Sequence, residues 1–487
     1  MPDAPPPGYG AVTTNVVLAL SPFLVVTTGF VFLSPVIAHH LGTSRTTIQV
    51  FDGLAIAGYA FGALLGGDIV QRFSQRTLFV ICESGFVVGS LTAAVATEPI
   101  AFGAGHVLQG FATGLLLVIA VPPLVNRYPA RRMRTTAAFI DIGFFGAVTA
   151  GPLLGGPAAA AGHWRWFLGG VALVGAANLA LGLVVLQHTE PMNPGFPMDR
   201  SALSLALVAT VLPFLATSWV DPTPFSSPLF IVPLTVGLTA LVVLLFSQYH
   251  KREPLSPVRT MSNTIPVAGT IVAAVAGGAF VSFLELGQQY LLTTVHESPT
   301  HVGLLYWPMV LGTIVASVAL AMLLRTRFLP HLVLAGMTCI AAGGAVLFAG
   351  RGGGDIVILI SAALLGTGAG ATVSPALWMA AFALPAMMVG RTFALVELVR
   401  SVADFVLAPV ILAIAVTIGT AGSRWVGVAT ALWVTLGVTI GGLGVVVGLY
   451  LVGRPPSRAP DLESWLEGES PALASPRIGA VVRDDAA

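Results

Sequence analysis

Ionisable side chains inside long apolar segments are the residues of this sequence best able to do chemistry. Such a group costs about 2.5–3.5 kcal/mol at the centre of a membrane-spanning helix, so each one is a candidate functional residue. A carboxylate in that setting can bind and release a proton, attract a cation or pair with a base. The eight residues of this kind are Asp52, Asp68, Glu83, Asp141, Glu285, Glu397, Arg400 and Asp404.

Glu397, Arg400 and Asp404 are spaced three and four positions apart, which places them on one face of a single helix. Arg400 forms an ion pair with one acid in this interpretation, and the second acid is then able to titrate. The alternative is a purely structural ion pair. Both interpretations stay open at this stage.

Glu285 lies three residues before Gln288 and four before Gln289, so the three side chains form one polar patch on a helix. A carboxylate there could take up a proton and release it when a cation arrives. The alternative is a polar contact between helices. A neutral glutamine would make that contact at lower cost, which favours a functional role for Glu285.

The composition excludes most soluble classes of protein. Of 487 residues, 56% are hydrophobic and 9% are charged, whereas a soluble domain carries about 25% charged residues. The net charge of +1 offers no basic surface for nucleic acid. Cys82 and Cys339 lie in separate apolar segments without a Cys/His cluster, so we expect no disulfide framework, no metal site and no cofactor.

Continuous apolar runs of about 20 residues predict helices that cross a lipid bilayer. Fourteen such runs separate at charged or Pro/Gly-rich breaks, which predicts an all-α polytopic membrane protein. The predicted spans are 16–39, 47–70, 77–97, 100–125, 135–160, 165–187, 201–220, 228–248, 264–294, 300–324, 330–350, 355–383, 387–418 and 425–452.

The basic residues between these spans predict the orientation, because Lys and Arg are enriched in cytoplasmic loops. With cytoplasmic termini, four basic residues fall outside (Arg45, Arg165, Arg351 and Arg424). Thirteen fall inside, namely Arg72, Arg76, Arg127, Arg131, Arg132, Arg134, Arg200, Lys251, Arg252, Arg259, Arg325, Arg327 and Arg391. We therefore expect a multi-pass protein with both termini in the cytoplasm and no cleaved signal peptide. The excess of Arg over Lys indicates a bacterial inner membrane.

This orientation assigns a depth to each ionisable group. Asp52, Glu285 and the histidine at position 106 fall in the outer half of their spans. Asp141 and Glu83 fall near the cytoplasmic surface, where either could form a gate salt bridge with Arg72, Arg76 or Arg134. Four aromatic residues could bind a cation or belong to the interfacial belt: Tyr290, Tyr306, Trp307 and Trp378.

Two sequence motifs lie at or next to these spans. The first follows span 2 and reads GDIVQRFSQR; its residues of interest are Gly67, Asp68, Gln71, Arg72 and Arg76. The glycine allows two helices to approach closely, and the charged residues can form ion pairs that break and form again. The second lies in span 5 and reads AVTAGPLLGG, where a proline bends the helix and glycines let a neighbour seat against it. Its key residues are Gly151, Pro152, Gly155 and Gly156.

These motifs resemble those of the major facilitator superfamily. The loop is similar to the signature G-x-L-x-D-R-x-G-R, with Gln71 in place of the aspartate and Asp68 as a substitute three residues earlier. The alternative is a loop that only fixes orientation. The span 5 string is similar to the antiporter motif g-x-x-x-G-P-x-x-G-G. "HVLQG" from His106 resembles R-x-x-Q-G with histidine for arginine; His106 either takes part in proton coupling or stays neutral and hydrogen-bonds a neighbour.

Further strings, WRWFLGG from Trp164 and ALVELVRSVADFVLAPVILAI from Ala394, extend the resemblance to the fourteen-helix drug:proton antiporter family. It implies a six-helix bundle at 12–187, two extra helices at 201–248, a second six-helix bundle at 264–452 and a tail at 453–487 that we expect to be disordered. One departure is the absence of the family's aspartate in helix 1, near Val26.

The resemblance implies proton-coupled efflux of hydrophobic or cationic small molecules by a protein without enzymatic activity, which we expect to be a monomer. Protons and the substrate are then its partners, together with the bilayer. A dedicated exporter of one natural product, lipid or siderophore would carry the same acidic residues. A membrane sensor without transport is a third possibility, and a membrane enzyme would need clustered catalytic acids or a large soluble loop.

Overall fold

The computed structural model describes residues 8–187, 190, 191, 195, 197–218, 225–351, 354–419 and 423–478. In this part of the chain, fourteen helices are long and apolar enough to cross a membrane. They are α1 Tyr9–His40, α2 Arg45–Ile69, α3 Gln75–Val95, α4 Pro99–Asn126, α5 Ala130–Ala160, α6 Trp164–Val185, α7 Arg200–Ser218, α8 Pro228–His250, α9 Thr264–Val295, α10 Pro299–Leu323, α11 Leu329–Ala349, α12 Asp355–Phe382, α13 Ala386–Gly419 and α14 Arg424–Gly453.

The fourteen predicted spans are confirmed in number and order. Their ends differ by a few residues, most clearly in α1, which begins at Tyr9 rather than 16. The Tyr9 hydroxyl lies 3.0 Å from Thr136 Oγ1 and its ring meets Tyr128 edge-on. These contacts stabilise the first turns of α1, which precede the apolar run. Positions 219 and 220 of the predicted seventh span lie outside the described residues.

Some of these helices contain turns that depart from regular α geometry. α5 contains a π-helical turn at Ile142–Gly146, and α9 ends in another at Leu291–Val295. α10 is interrupted at Tyr306, between Pro299–Leu305 and Trp307–Leu323. Irregular turns of this kind redirect side chains within a helix.

The helices pack as two bundles, α1–α6 and α9–α14. In the first, α2 and α4 touch along their backbones because glycine leaves room for a carbonyl group. A Cβ atom on Gly110 would lie 2.0 Å from the Ala55 carbonyl oxygen, and one on Gly114 would lie 2.0 Å from that of Tyr59.

Since the two bundles begin and end on the same side, we call the side where α1 begins the termini side and the other the far side.

α7 and α8 form a hairpin that lies against α2 and α13. Phe214 of α7 stacks on Phe405 of α13 with ring centroids 4.3 Å apart. The Ser218 hydroxyl of α7 lies where a side chain on Gly53 of α2 would project. The hairpin therefore covers the line along which α2 and α13, one from each bundle, meet.

Asp199 ties the two ends of this hairpin together outside the membrane-spanning segments. It accepts hydrogen bonds from Lys251 Nζ at 2.6 Å and Gln248 Nε2 at 3.0 Å. Burial by itself raises the pKa of Asp199, but these bonds and those from Ala202 and Ser201 outweigh it and lower the pKa to about 2. The carboxylate thus stays ionised, and the contact persists, throughout the physiological pH range.

The C-terminal tail differs from the expectation of disorder over residues 453–487. A short helix, Leu462–Glu467, lies on the termini side with Trp465 fully buried. The indole Nε1 donates to the Leu384 carbonyl oxygen at 2.7 Å, and the ring meets Phe382 edge-on. Leu462 and Leu473 of the tail are buried as well. Residues 479–487 lie outside the described residues.

The tail also supplies hydrogen-bond partners to the first turn of α9, whose backbone N–H groups have none within the helix. The Pro476 carbonyl oxygen accepts from Thr264 N at 3.0 Å, and Ser475 Oγ accepts from Ile265 N at 2.9 Å. Glu463 pairs with Arg325 at 3.1 Å. The tail is therefore attached to the second bundle at several separate points.

Trp465→Ala is expected to release the tail, because truncating a buried aromatic side chain costs about 3–5 kcal/mol. Trypsin would then cleave faster after Arg458 and Arg477, measured by mass spectrometry on the purified protein. Trp465→Phe is the matched control, since it keeps the ring contact with Phe382 and loses only the bond to Leu384. Equal protection of the alanine variant and the parent would contradict this anchor.

Candidate functional site

A central cavity lies between the two bundles. Its deep chamber has a volume of about 140 Å³ and continues into a vestibule of about 600 Å³. Asp52, Glu285 and Phe405 line both parts. The vestibule reaches the far side, where its walls include Arg45 at the start of α2 and Arg424 at the start of α14.

Aromatic side chains form much of the chamber wall. Phe23 projects from α1, Phe144 and Phe145 from the π-helical turn of α5, and Phe280 from α9, with Phe405 opposite. Their rings provide an apolar surface with faces that can attract a cation. The aromatic residues singled out in the sequence are not these: Trp378 and Tyr306 are buried outside the chamber, Trp307 is 49% exposed, and Tyr290 lines the vestibule.

Asp52 on the first-bundle wall is joined to His106 by a 3.0 Å contact between Oδ1 and Nε2. His106 Nδ1 lies 2.9 Å from Gln109 Oε1. The Gln109 amide is oriented by Ser90, because that hydroxyl donates to the Phe86 carbonyl oxygen and so accepts from Gln109 Nε2.

These contacts hold the imidazole of His106 from both sides, because each ring nitrogen lies within hydrogen-bond distance of an oxygen atom. Phe30 stacks on the buried imidazole with ring centroids 5.1 Å apart. A buried imidazole therefore lies directly behind the Asp52 carboxyl group of the cavity wall.

Glu285 of α9 lies where the chamber meets the vestibule. Asp52 and Arg45, across the gap on α2, are the charged residues whose fields act on it. In the described part of the chain it forms no ion pair. Gln288 points into the chamber, is fully buried, and its amide atoms have no hydrogen-bond partner among the described residues, whereas Gln289 lines the vestibule. The predicted polar patch is thus divided between the two parts of the cavity.

Glu397, Arg400 and Asp404 form one ion-pair group on α13, as their spacing predicts. The guanidinium of Arg400 bonds both carboxylates, with Nε 3.0 Å from Glu397 Oε2. Tyr59 of α2 donates to Glu397 Oε1 at 2.8 Å and so connects the bundles. Arg400 and Asp404 line the chamber, and Asp404 Oδ1 has no hydrogen-bond partner among the described residues.

The loop motif lies on the termini side, where α2 meets α13. Asp68 is buried and pairs with Arg72 at 2.6 Å. Gln71 donates to the Gly67 carbonyl oxygen at 3.1 Å, and Arg76 donates to that of Leu183 at 2.9 Å. A Cβ on Gly67 would meet Ala394 and Arg391 of α13 at 3.9 Å. The motif therefore packs α2 against the second bundle.

The arginine partners that the sequence suggested for Asp141 and Glu83 are not found among the described residues. In the described part of the chain, neither forms an ion pair with an arginine. Ser317 Oγ of α10 lies 2.6 Å from Asp141 Oδ2. Glu83 is fully buried inside the first bundle. The sequence could not predict the contact of Asp141 with Ser317 or the burial of Glu83, because both depend on which helices are neighbours.

The span 5 motif joins three helices. A Cβ on Gly155 would lie 2.7 Å from the Cα of Gly29 in α1, and one on Gly151 would overlap Thr28. A Cβ on Gly156 would lie 2.3 Å from the Pro299 carbonyl oxygen of α10. The motif therefore brings α5 into backbone contact with its own bundle and with the opposite bundle.

Gly156→Ala is expected to destabilise the protein by about 1–3 kcal/mol, because overpacking forces α5 and α10 apart. Gly146→Ala in the same helix is the control, since its Cβ would meet only Ile142 at 3.6 Å. That change should be neutral or stabilising, as alanine is the better helix former. Thermal unfolding of the purified variants measures both, and equal melting temperatures would refute the close contact.

Several residues of the cavity were missed in the sequence. Tyr59, Phe144 and Phe405 lie in apolar runs where nothing distinguishes them from core residues. Ser317 shows no signal either. Of the residues that the sequence did indicate, Asp52, Glu285, Arg400 and Asp404 meet at the cavity, His106 lies behind Asp52, and Glu397 lies behind Arg400.

Fold and cavity together define a multi-pass membrane protein of two helical bundles around a central cavity that reaches the far side. The model of the Major Facilitator Superfamily matches residues 16–409, and the chain belongs to this superfamily.

Comparison with known proteins gives relatives of this kind. The chain is 27% identical to the uncharacterized MFS-type transporter YubD of Bacillus subtilis, over 65% of this chain and 62% of YubD. It is 28% identical to a multidrug resistance protein B homolog of Mycobacterium tuberculosis, over 63% of this chain and 58% of that protein. The match thus spans less than two thirds of either relative.

A solved structure shares the fold. The human organic anion transporter MFSD10 (TETRAN) superposes with a TM-score of 0.65 over 90% of this chain and 100% of that chain, at 14% identity. At this identity the similarity concerns the fold alone.

Proposed function

We propose that this protein exports hydrophobic or cationic small molecules in exchange for protons. The observation that carries the proposal is the chamber itself, in which three acids, Asp52, Glu285 and Asp404, face a wall of phenylalanine rings. The rings bury the apolar body of a substrate, and the carboxylates attract its charge. The mycobacterial relative is named a multidrug resistance protein B homolog, which supports drug-like small molecules as the substrates.

Competition between a proton and a cation for the same carboxylate provides the coupling. When Glu285 is ionised, a cation in the chamber is stabilised by its charge; when Glu285 is protonated, that attraction is lost and the substrate leaves. The Asp52–His106 pair lies on the same cavity surface. Alternation of the cavity between the two sides of the membrane then couples proton entry to substrate exit.

The distribution of basic residues supports cytoplasmic termini, so the far side is the outside of the cell. The conformation described here then receives protons from outside and delivers substrate there. The composition supports the bacterial inner membrane as its location, and we propose that a monomer is the working unit.

Transport in inverted membrane vesicles tests the proposal. An inside-acid pH gradient is expected to drive uptake of a cationic dye, and a protonophore should abolish it while replacement of sodium by choline should not. Vesicles without the protein are the control. A pump-deficient bacterial host that expresses the protein should also become less susceptible to several unrelated drugs, and protection against one compound only would indicate a dedicated exporter. Uptake that is indifferent to the pH gradient would refute proton coupling.

A further inference from the structure

Asp141 occupies a position between the bundles that the central cavity does not reach. It lies on α5 towards the termini side, and its exposure is 0%. Ser317 of α10 touches its carboxyl group, and a Cβ on Gly370 of α12 would lie 3.4 Å from its Oδ2 atom. The carboxyl group of one bundle is thus enclosed by two helices of the other.

The Asp141 carboxyl group has one hydrogen-bonding side chain of α10 beside it. Ser317 Oγ donates to Asp141 Oδ2 at 2.6 Å and also lies 2.9 Å from the Thr313 carbonyl oxygen. A hydroxyl group has one proton, so Asp141 shares this donor with a backbone carbonyl group. The other oxygen, Oδ1, has no hydrogen-bond partner among the described residues.

Several charged and titratable groups of the surrounding helices have other partners. Tyr9 of α1 contacts Thr136, His106 of α4 contacts Asp52, and Asp355 of α12 pairs with His301. Arg400 of α13, which lies over the ring of Phe144, pairs with Glu397 and Asp404 of its own helix. α10 between Trp307 and Leu323 contains no charged residue. An ionised Asp141 would therefore be an uncompensated charge in an apolar interface, which is costly.

We propose that Asp141 is the proton-carrying group that controls closure of the termini side. Protonated, it is accommodated between α10 and α12 and the bundles stay together there. When it loses its proton to the cytoplasm, the carboxylate leaves this interface for water, and α5 separates from α10. The inference rests on the proposed proton-coupled function and adds a second proton site, distinct from the chamber acids, which acts on the conformation rather than on the substrate.

The distance between α5 and α10 on the termini side tests this role directly. Spin labels would be placed at Arg131→Cys and Arg327→Cys, two exposed positions on opposite bundles, in a background of Cys82→Ser and Cys339→Ser. In the parent, a longer distance should gain population as pH rises. Asp141→Asn mimics the protonated acid and should lose this pH-dependent change. Glu83→Gln, which neutralises a buried acid inside the first bundle, should keep it.

Ser317→Ala provides a second variant if Asp141→Asn does not fold. Because it removes a hydrogen-bond donor that stabilises the ionised carboxylate, the midpoint of the distance change should move to higher pH. A change in Asp141→Asn equal to that of the parent, an unmoved midpoint in Ser317→Ala, or a parent without any pH-dependent change would overturn the assignment. Dye uptake indifferent to a pH gradient would refute the proposed function, and the distance measurement would still decide the role of Asp141 separately.

Discussion

Arg400→Met is expected to destabilise the folded protein by about 3–5 kcal/mol, because it leaves two buried carboxylates without their cation. The side chains of Glu397 and Asp404 are only 1% and 11% exposed, and both bond the same guanidinium group. The yield of monodisperse protein and its melting temperature in detergent measure the loss.

A neutral version of the group separates charge from packing. The triple variant Glu397→Gln, Arg400→Met, Asp404→Asn removes all three charges and should recover most of the stability, since no charge is left uncompensated. Arg400→Lys keeps the charge but loses the planar fork that reaches both acids, so it should fall between parent and Arg400→Met. If the triple variant were as unstable as Arg400→Met, the ion pairs would not be the source of the effect.

Glu285→Gln is expected to weaken binding of a permanently cationic dye by roughly ten- to a hundredfold, since contacts to a charged group contribute about 1.5–3 kcal/mol. The side chain keeps its shape and its place between chamber and vestibule. Uptake of the dye driven by an inside-acid gradient should fall by a similar factor in inverted vesicles, whereas binding of a neutral apolar dye should change little.

Glu285→Asp is the control for this prediction, because it retains an ionisable group at nearly the same place. It should keep part of the gradient-driven uptake. Full uptake by Glu285→Gln would exclude Glu285 as the proton site and direct attention to Asp52 or Asp404, which face the same chamber. Equal loss for the cationic and the neutral dye would indicate damage to the cavity as a whole rather than loss of a charge.

Features contained within a single helix could be predicted from the order of the residues. Each span satisfies its own backbone hydrogen bonds in lipid, so the number of spans follows from the apolar runs alone. Spacing within a helix likewise predicted the common face of Glu397, Arg400 and Asp404. The glycines of the α5 motif indicated a close helix contact, although not the partners Gly29 and Pro299.

Contacts between distant segments were decided only by the tertiary structure. Tyr59 meets Glu397 across 338 positions, Asp141 meets Ser317 across 176, and His106 meets Asp52 across 54. Trp465 of the tail donates to the carbonyl oxygen of Leu384, 81 positions earlier. Such pairs depend on which helices pack side by side, and neither hydropathy nor helical periodicity contains that choice. The acidic residues could therefore be identified from the sequence. Their hydrogen-bond partners on other helices could be identified only from the packed bundles.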